Sequence, residues 1–139
     1  MILDTSGLLS ALDSDQSLHS AAKDALERAG GPLLLSPFVL TELDYLLVTR
    51  VGRRAEVALL NEIARGAYRL EPFAATDVME AVRVIERYPD FGNLGLADAS
   101  IVVLAERHGA HDILTLDERH FRAIRGPGER PFRLLPADL

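Results

Sequence analysis

Very short apolar runs alternate with amphipathic stretches of helical length along this chain, and that alternation constrains the fold most. Ile2-Leu3, Leu33-Leu34-Leu35, Asp112-Ile113-Leu114-Thr115 and Phe132-Arg133-Leu134-Leu135 are too short for helices and read as strands. Tyr68-Arg69-Leu70-Glu71 reads as a further short strand or edge segment. Strands alternating with helices of about 12 to 15 residues define an α/β domain with a mainly parallel central sheet. The expectation is four to five short strands flanked by helices. The chain's 139 residues, 48% of them hydrophobic, suffice for one domain spanning 1–139 with a real core.

Caps and apolar spacing place the helices between these strands. Leu8, Leu9 and Leu12 suggest a short helical turn. A helix from about Ser17 to Ala29 follows and is stopped by Gly30-Gly31. Ser36-Pro37 is a strong start, with Ser as N-cap and Pro at the first helical position. Leu40, Leu43, Leu47 and Val51 line one face of that helix. The next runs from Arg53 to Arg65 and carries Val57, Leu60 and Ile63 or Ala64 at helical spacing. Thr76 is expected to cap a helix containing Val78, Met79, Val82 and Ile85. Pro89 to Leu96 is a loop, Ala97 to His108 a strongly apolar helix, and Arg119 to Ala123 a helical turn.

Four acids stand where such elements begin or end. Asp4 terminates the first strand, and Asp117 follows the strand ending at Thr115. Asp98 opens the helix after the Asn93-Leu94-Gly95 loop, and Glu42 lies in the second turn of the Ser36-Pro37 helix. Open parallel sheets form their sites beyond the carboxyl ends of the strands, an edge all four can reach. Two carboxylates about 4 Å apart repel by roughly 4 kcal/mol at an effective dielectric near 20, so a cluster of four takes up protons or a cation. All-oxygen ligands, with no cysteine in the chain, suit Mg²⁺ or Mn²⁺ rather than Zn²⁺. Such an ion activates water and offsets charge on a phosphodiester. Singly, each acid has a structural explanation: Asp4 and Asp117 as caps, Asp98 as a partner of its helix dipole, Glu42 as a solvated helix residue. Ser6 and Thr115 stand beside the expected site as groups that could orient water or a ligand. His120, three residues after Asp117, is expected to be a surface packing residue rather than a substrate contact.

Composition removes several classes. No apolar run approaches the roughly 18 to 20 residues of a membrane span. The N-terminus lacks the basic and apolar segments of a signal peptide, so Asp4 is expected to belong to the mature fold. The absence of cysteine fits a reducing cytoplasm. With no Trp, three Tyr and five Phe, a base-stacking platform is not expected. The net charge of −6 argues against a general basic coat. Only Lys23 is lysine, and five of the arginines, Arg119, Arg122, Arg125, Arg130 and Arg133, crowd the C-terminal end. Arginine forks match phosphate geometry, so that end reads either as a solvated surface or as a hold on a nucleic-acid backbone.

Met1-Ile2-Leu3-Asp4-Thr5-Ser6, Ser36-Pro37 leading to Thr41-Glu42-Leu43, Gly95-Leu96-Ala97-Asp98-Ala99, and Leu114-Thr115-Leu116-Asp117 with His120-Phe121 resemble, in order, the motifs of PIN-domain ribonucleases. The resemblance is nearest to VapC toxins of bacterial toxin–antitoxin pairs and runs essentially end to end. It implies a parallel sheet flanked by helices and Mg²⁺- or Mn²⁺-dependent RNA cleavage by metal-activated water, leaving 5′-phosphate and 3′-hydroxyl ends. Asp4, Glu42 and Asp98 match the family's core metal-binding acids, and Asp117 its more variable fourth. Some members carry another acid one turn after the third; Val102 stands there, so a second metal would lean on Asp117. The resemblance also implies a homodimer, a small antitoxin whose C-terminal segment wraps the toxin, and transfer or ribosomal RNA as target.

Two other enzyme classes begin similarly. A haloacid-dehalogenase-type phosphatase wants a second acid two residues after the first, where this chain has Ser6. A receiver domain wants a strand-end lysine in its later half, and Lys23 is the only lysine. The remaining alternative is a catalytically degenerate PIN-like module that binds RNA or protein without cutting.

Overall fold

The computed structural model describes residues 1–139 and contains five short strands and seven α-helices. In chain order these are β1 (Ile2–Leu3), α1 (Thr5–Leu12), α2 (His19–Glu27), β2 (Leu34–Leu35), α3 (Pro37–Arg50), α4 (Arg53–Ala64) and β3 (Arg69–Leu70). There follow α5 (Ala75–Arg87), α6 (Leu96–His108), β4 (Asp112–Leu114), α7 (Glu118–Ala123), a 3₁₀ turn at Pro127–Glu129 and β5 (Arg133–Leu135).

The sheet is entirely parallel in the order β3-β2-β1-β4-β5. Ile2 and Leu3 pair with Leu34 and Leu35 on one side and with Ile113 and Leu114 on the other. All six are essentially inaccessible, as residues of a sheet covered on both faces must be. The Arg69-Leu70 pair is exposed because β3 is an edge strand. From β1 the chain winds outward through β2 to β3, then returns to place β4 on β1's other side. The point where winding reverses therefore lies between β1 and β4. A crevice opens beyond the carboxyl ends of the strands at such a reversal, and Asp4 and Thr115 are the residues leaving those two strands.

Close packing fixes that corner. A Cβ on Gly7 would lie 2.3 Å from the Leu114 carbonyl oxygen, so only glycine lets α1 pass this near β4. The approach brings Ser6 Oγ within 2.9 Å of the Leu116 amide, which donates to it.

Ser36 caps α3 as expected, its hydroxyl accepting from the Phe38 amide at 3.2 Å. The same hydroxyl lies 2.6 Å from Ser100 Oγ, and Ser100 donates to the Ala97 carbonyl at 2.6 Å. With the Ser100 proton so committed, Ser36 is the donor between them. Two fully buried hydroxyls thus join the starts of α3 and α6, the helices that carry Glu42 and Asp98.

Several helix details depart from expectation. α2 is shorter at both ends than Ser17 to Ala29. α4 buries Leu59, flanked by Ala55 and Ile63, while Val57 and Leu60 face outward at 46% and 41% exposure. Both sets have helical spacing, but only the first packs on the core, so of the expected face Ile63 alone points inward. Thr76 does not cap α5; the N-cap is Ala74, whose amide donates to Asp77 Oδ2 at 2.8 Å. On the same helix Val78, Met79 and Val82 remain exposed, and Ala81, Val84 and Ile85 form the packed side. Val102 is buried in the core. No helix is long and apolar enough to cross a membrane.

Candidate active site

All four acids line one cleft of about 350 Å³, together with Thr5, Ser6, Leu9, Gln16, Leu46, Arg50 and Leu116. Each arrives by a different route. Asp4 follows β1, Glu42 projects from α3, Asp98 from the first turn of α6, and Asp117 stands at the start of α7 just beyond β4.

Asp4 is the anchor. It is 6% exposed and occupies the N-cap position of α1, yet its side chain makes no capping hydrogen bond. Oδ2 instead accepts from Thr115 Oγ1 at 2.6 Å and from Ser6 Oγ at 2.9 Å. The same two hydroxyls receive backbone amides, Ser6 from Leu116 and Thr115 from Asp117, both at 2.9 Å. A hydroxyl that accepts from backbone while donating to a carboxylate has its proton direction fixed. Asp4 is thereby locked in one orientation, and Oδ1 takes neither hydroxyl. Burial raises its carboxyl above the ordinary range, while those hydroxyls and the Thr5 amide pull it back.

Asp98 is raised to about 6, first by burial and then by the Asp4 charge; His120 opposes and Asp117 adds to the shift. Glu42 is the most exposed of the four, and its Oε1 accepts from Thr5 Oγ1 at 2.7 Å, which turns it toward the β1 corner. Asp117 caps α7, accepting from the His120 amide at 3.3 Å, and keeps Oδ2 for the His120 ring. Its capping role and its place in the cleft are compatible.

His120 overturns the expectation of a surface packing residue. It is 4% exposed, with Nδ1 3.0 Å from Asp117 Oδ2 and 3.7 Å from Asp98 Oδ2. Nε2 lies 3.0 Å from Asn93 Oδ1, and Phe91 packs edge-on against the ring at 5.2 Å. Asp98, Asp117 and His120 each present an atom within 4.8 Å of the others. The sequence signal was the i, i+3 spacing from Asp117; the partners that bury the ring come from the Phe91–Asn93 loop.

Carboxylates held this close with no lysine or arginine paired to them, one buried and another raised to about 6, match a site for a hard divalent ion. The residues that would hold it are Asp4, Asp98 and Asp117, with Glu42 on the open side. The donors are oxygens, since the His120 Nδ1 is already directed at Asp117.

The C-terminal arginines are elsewhere. Arg122 is gripped by Asp138 and Glu118, Arg133 by Asp112, and the Arg130 guanidinium donates to His111 Nδ1 at 3.4 Å. None of the five lines the cleft; its one cation is Arg50, at the C-terminal end of α3.

A parallel α/β sheet with acids gathered at its point of reversal is the architecture of a known class, and the sequence profile of the PIN domain family matches residues 1–127. The chain belongs to the PIN-domain family. Within it the likeness is to VapC proteins: the chain is 43% identical over 136 residues to ribonuclease VapC26 of Mycobacterium tuberculosis (strain ATCC 25618 / H37Rv), covering 98% of this chain and 100% of that protein. Two crystal structures share the fold. One is M. tuberculosis VapC20, a sarcin-ricin loop cleaving toxin, with TM-score 0.77, 24% identity and coverage of 85% of this chain and 90% of that one. The other is VapBC2 from Rickettsia felis bound to a DNA fragment from its promoter, with TM-score 0.67, 16% identity and 96% of each chain covered.

Proposed function

We propose that this protein is a Mg²⁺- or Mn²⁺-dependent endoribonuclease and the toxin of a toxin–antitoxin pair. The observation that carries this reading is the convergence of Asp4, Glu42, Asp98 and Asp117, from four separate elements, on one cleft beyond the β1 and β4 ends. Full-length likeness to ribonuclease VapC26 supports RNA as the substrate.

When bound, a divalent ion supplies an activated water and offsets charge on the phosphodiester. The chain's own contribution is orientation. Thr115 and Ser6 hold Asp4 in one rotamer, His120 holds Asp117, and Thr5 holds Glu42, so the acids are set before substrate arrives. Burial of Asp4 and the partial burial of Asp98 keep water scarce and make each charge effective. Val102 provides no further acid, so a second metal would depend on Asp117.

The partners follow from the same reading. An acidic cleft accepts a cationic side chain, which suits silencing by a small antitoxin segment. A homodimer, a cytoplasmic location and a transfer or ribosomal RNA target complete the proposal.

The deciding experiment is cleavage of RNA by the purified protein with Mg²⁺ or Mn²⁺, with EDTA, and with the Asp4→Asn variant. Cutting with the metals alone, and an inert variant that still folds, is the expected outcome. Full activity of Asp4→Asn, or of wild type in EDTA, would sink the mechanism. A wild type that binds RNA without cutting under any metal would mark a degenerate module.

A further inference from the structure

α3 presents Glu42, Leu46 and Arg50 along one stripe of the cleft wall, at i, i+4 and i+8. Eight residues at 1.5 Å each separate the acid from the guanidinium-bearing residue by about 12 Å along the helix axis. The cleft thus carries one arginine beside its four acids, and that arginine forms no ion pair with any of them. Many exposed arginines of this molecule find carboxylates, Arg28 with Asp24, Arg65 with Glu62, Arg83 with Glu80, Arg87 with Glu129, Arg122 with Asp138 and Arg133 with Asp112; Arg53, Arg54, Arg119, Arg125 and Arg130 form no ion pair, but none of them lines the cleft. Arg50 forms no such pair, even though Asp13 is near enough for the two charges to interact. Asp13 is already engaged by neutral donors, the Asp15 amide on Oδ1 and the Gln16 side-chain amide on Oδ2, each at 3.0 Å. The donors of Arg50 are left open to the cleft.

We propose that Arg50 binds a backbone phosphate of the RNA strand that flanks the scissile one, and so sets the strand's position across the acids. The inference rests on the nuclease reading above for the identity of the strand. Its own basis is the solitary cation in an acidic cleft. Five N–H donors in a planar fork match the oxygens of a phosphodiester. Glu42 is turned toward Thr5 instead, and Arg50 pairs with none of the acids that would hold a metal. A contact of this kind reads no base; it adds affinity and register. The competing explanation is a cation that merely complements the carboxyl end of α3.

The test compares full-length wild type, Arg50→Ala and Arg50→Lys. Binding of a fluorescein-labelled single-stranded RNA is followed by anisotropy in EDTA across a KCl series. Mn²⁺ affinity is measured by calorimetry, and melting temperature and cleavage kinetics are recorded alongside. Arg50→Ala is expected to bind RNA roughly tenfold more weakly, with the slope of log K against log salt reduced by about 0.7, the value for one single-strand phosphate. Cleavage should suffer through KM rather than kcat, and Arg50→Lys should recover the salt slope but only part of the affinity. Mn²⁺ affinity and melting temperature should not change. Unaltered RNA affinity and salt slope in Arg50→Ala would overturn the proposal. So would a loss accompanied by an equal fall in stability or Mn²⁺ affinity, which would make Arg50 a helix-end residue. If wild type binds RNA through Arg50 but never cuts with Mn²⁺, the nuclease reading fails and the phosphate contact stands.

Discussion

Thr115 Oγ1 donates to Asp4 Oδ2 across 2.6 Å, tying the residue after β4 to the residue after β1 at the point where the sheet reverses. Thr115 is fully buried, so Thr115→Val keeps the volume while removing the donor and the acceptor of the Asp117 amide. Of its two hydroxyl donors, Asp4 would keep only Ser6. We expect Mn²⁺ affinity to fall about tenfold, as is usual when a group that orients a metal ligand is lost. Stability should fall by about 1–3 kcal/mol for the unsatisfied amide. Calorimetric Mn²⁺ titration and urea unfolding measure the two; unchanged metal affinity would show that Asp4 does not need this tether.

Gly7 lies against the Leu114 carbonyl with no room for a side chain. Because the nearest atoms are backbone of β4, a methyl group there cannot be accommodated by rotating a side chain. Gly7→Ala must push α1 off the sheet, costing roughly 2–4 kcal/mol, at the upper end of overpacking penalties. The Ser6–Leu116 and Ser6–Asp4 bonds would be lost with it. The expected result is a marked drop in melting temperature and a cleft that no longer binds Mn²⁺ well. A variant as stable as wild type would mean that α1 is not held where it lies.

The Ser36–Ser100 pair joins α3 to α6 through a single buried hydrogen bond. Ser100→Ala leaves the Ser36 hydroxyl as a buried donor without its acceptor, at a cost of about 1–3 kcal/mol. Replacing both by Ala removes the unmet donor but also the α3 cap, so the double variant should be less destabilised than the two single effects summed. Chemical denaturation of the four proteins closes the cycle, and strict additivity would deny the coupling.

How much of this was legible beforehand differs from residue to residue. Asp4, Asp98, Glu42 and Asp117 could be read because strand ends and helix starts are marked locally, by apolar runs, Ser-Pro and Gly. That they meet depends on strand order, which no spacing encodes; the resemblance to PIN-domain proteins supplied it. α4 went wrong because Val57/Leu60 and Ala55/Leu59/Ile63 are both periodic, and only the position of α3 chooses between them. Thr76 looked like a cap because the true start relies on Asp77 reaching back to Ala74. His120 is buried by Asn93 and Phe91, residues in a loop that the sequence marks only as irregular. Arg50 resembles any cation near a helix end until the cleft wall is seen.

The raised carboxyl of Asp98 has a consequence for the metal-free protein. Its folded value is about 6 against 3.8 for the free side chain, so between these limits the native state holds more proton than the unfolded chain. Stability then falls as pH rises through that window, and the Asp98 penalty is complete above about 6, the reverse of ordinary acid denaturation. Asp4, raised by burial, acts in the same direction. Asp13, Asp77 and Asp138 are lowered from 3.8 and oppose it only below about that value. The metal-free protein should therefore melt higher at pH 5 than at pH 7.5, by about 1.4 kcal/mol in stability from Asp98, since about one pH unit of the window lies above pH 5 at roughly 1.36 kcal/mol per unit. Mn²⁺ at pH 7.5 should remove the deficit by supplying the charge the protons had supplied, and should help much less at pH 5, where protons compete for the same oxygens. Scanning calorimetry at the two pH values, with and without Mn²⁺, measures all four states. Asp98→Asn should flatten the pH dependence of the metal-free protein, and a metal-free melting temperature that instead rises from pH 5 to 7.5 would contradict the clustered-acid account of this cleft.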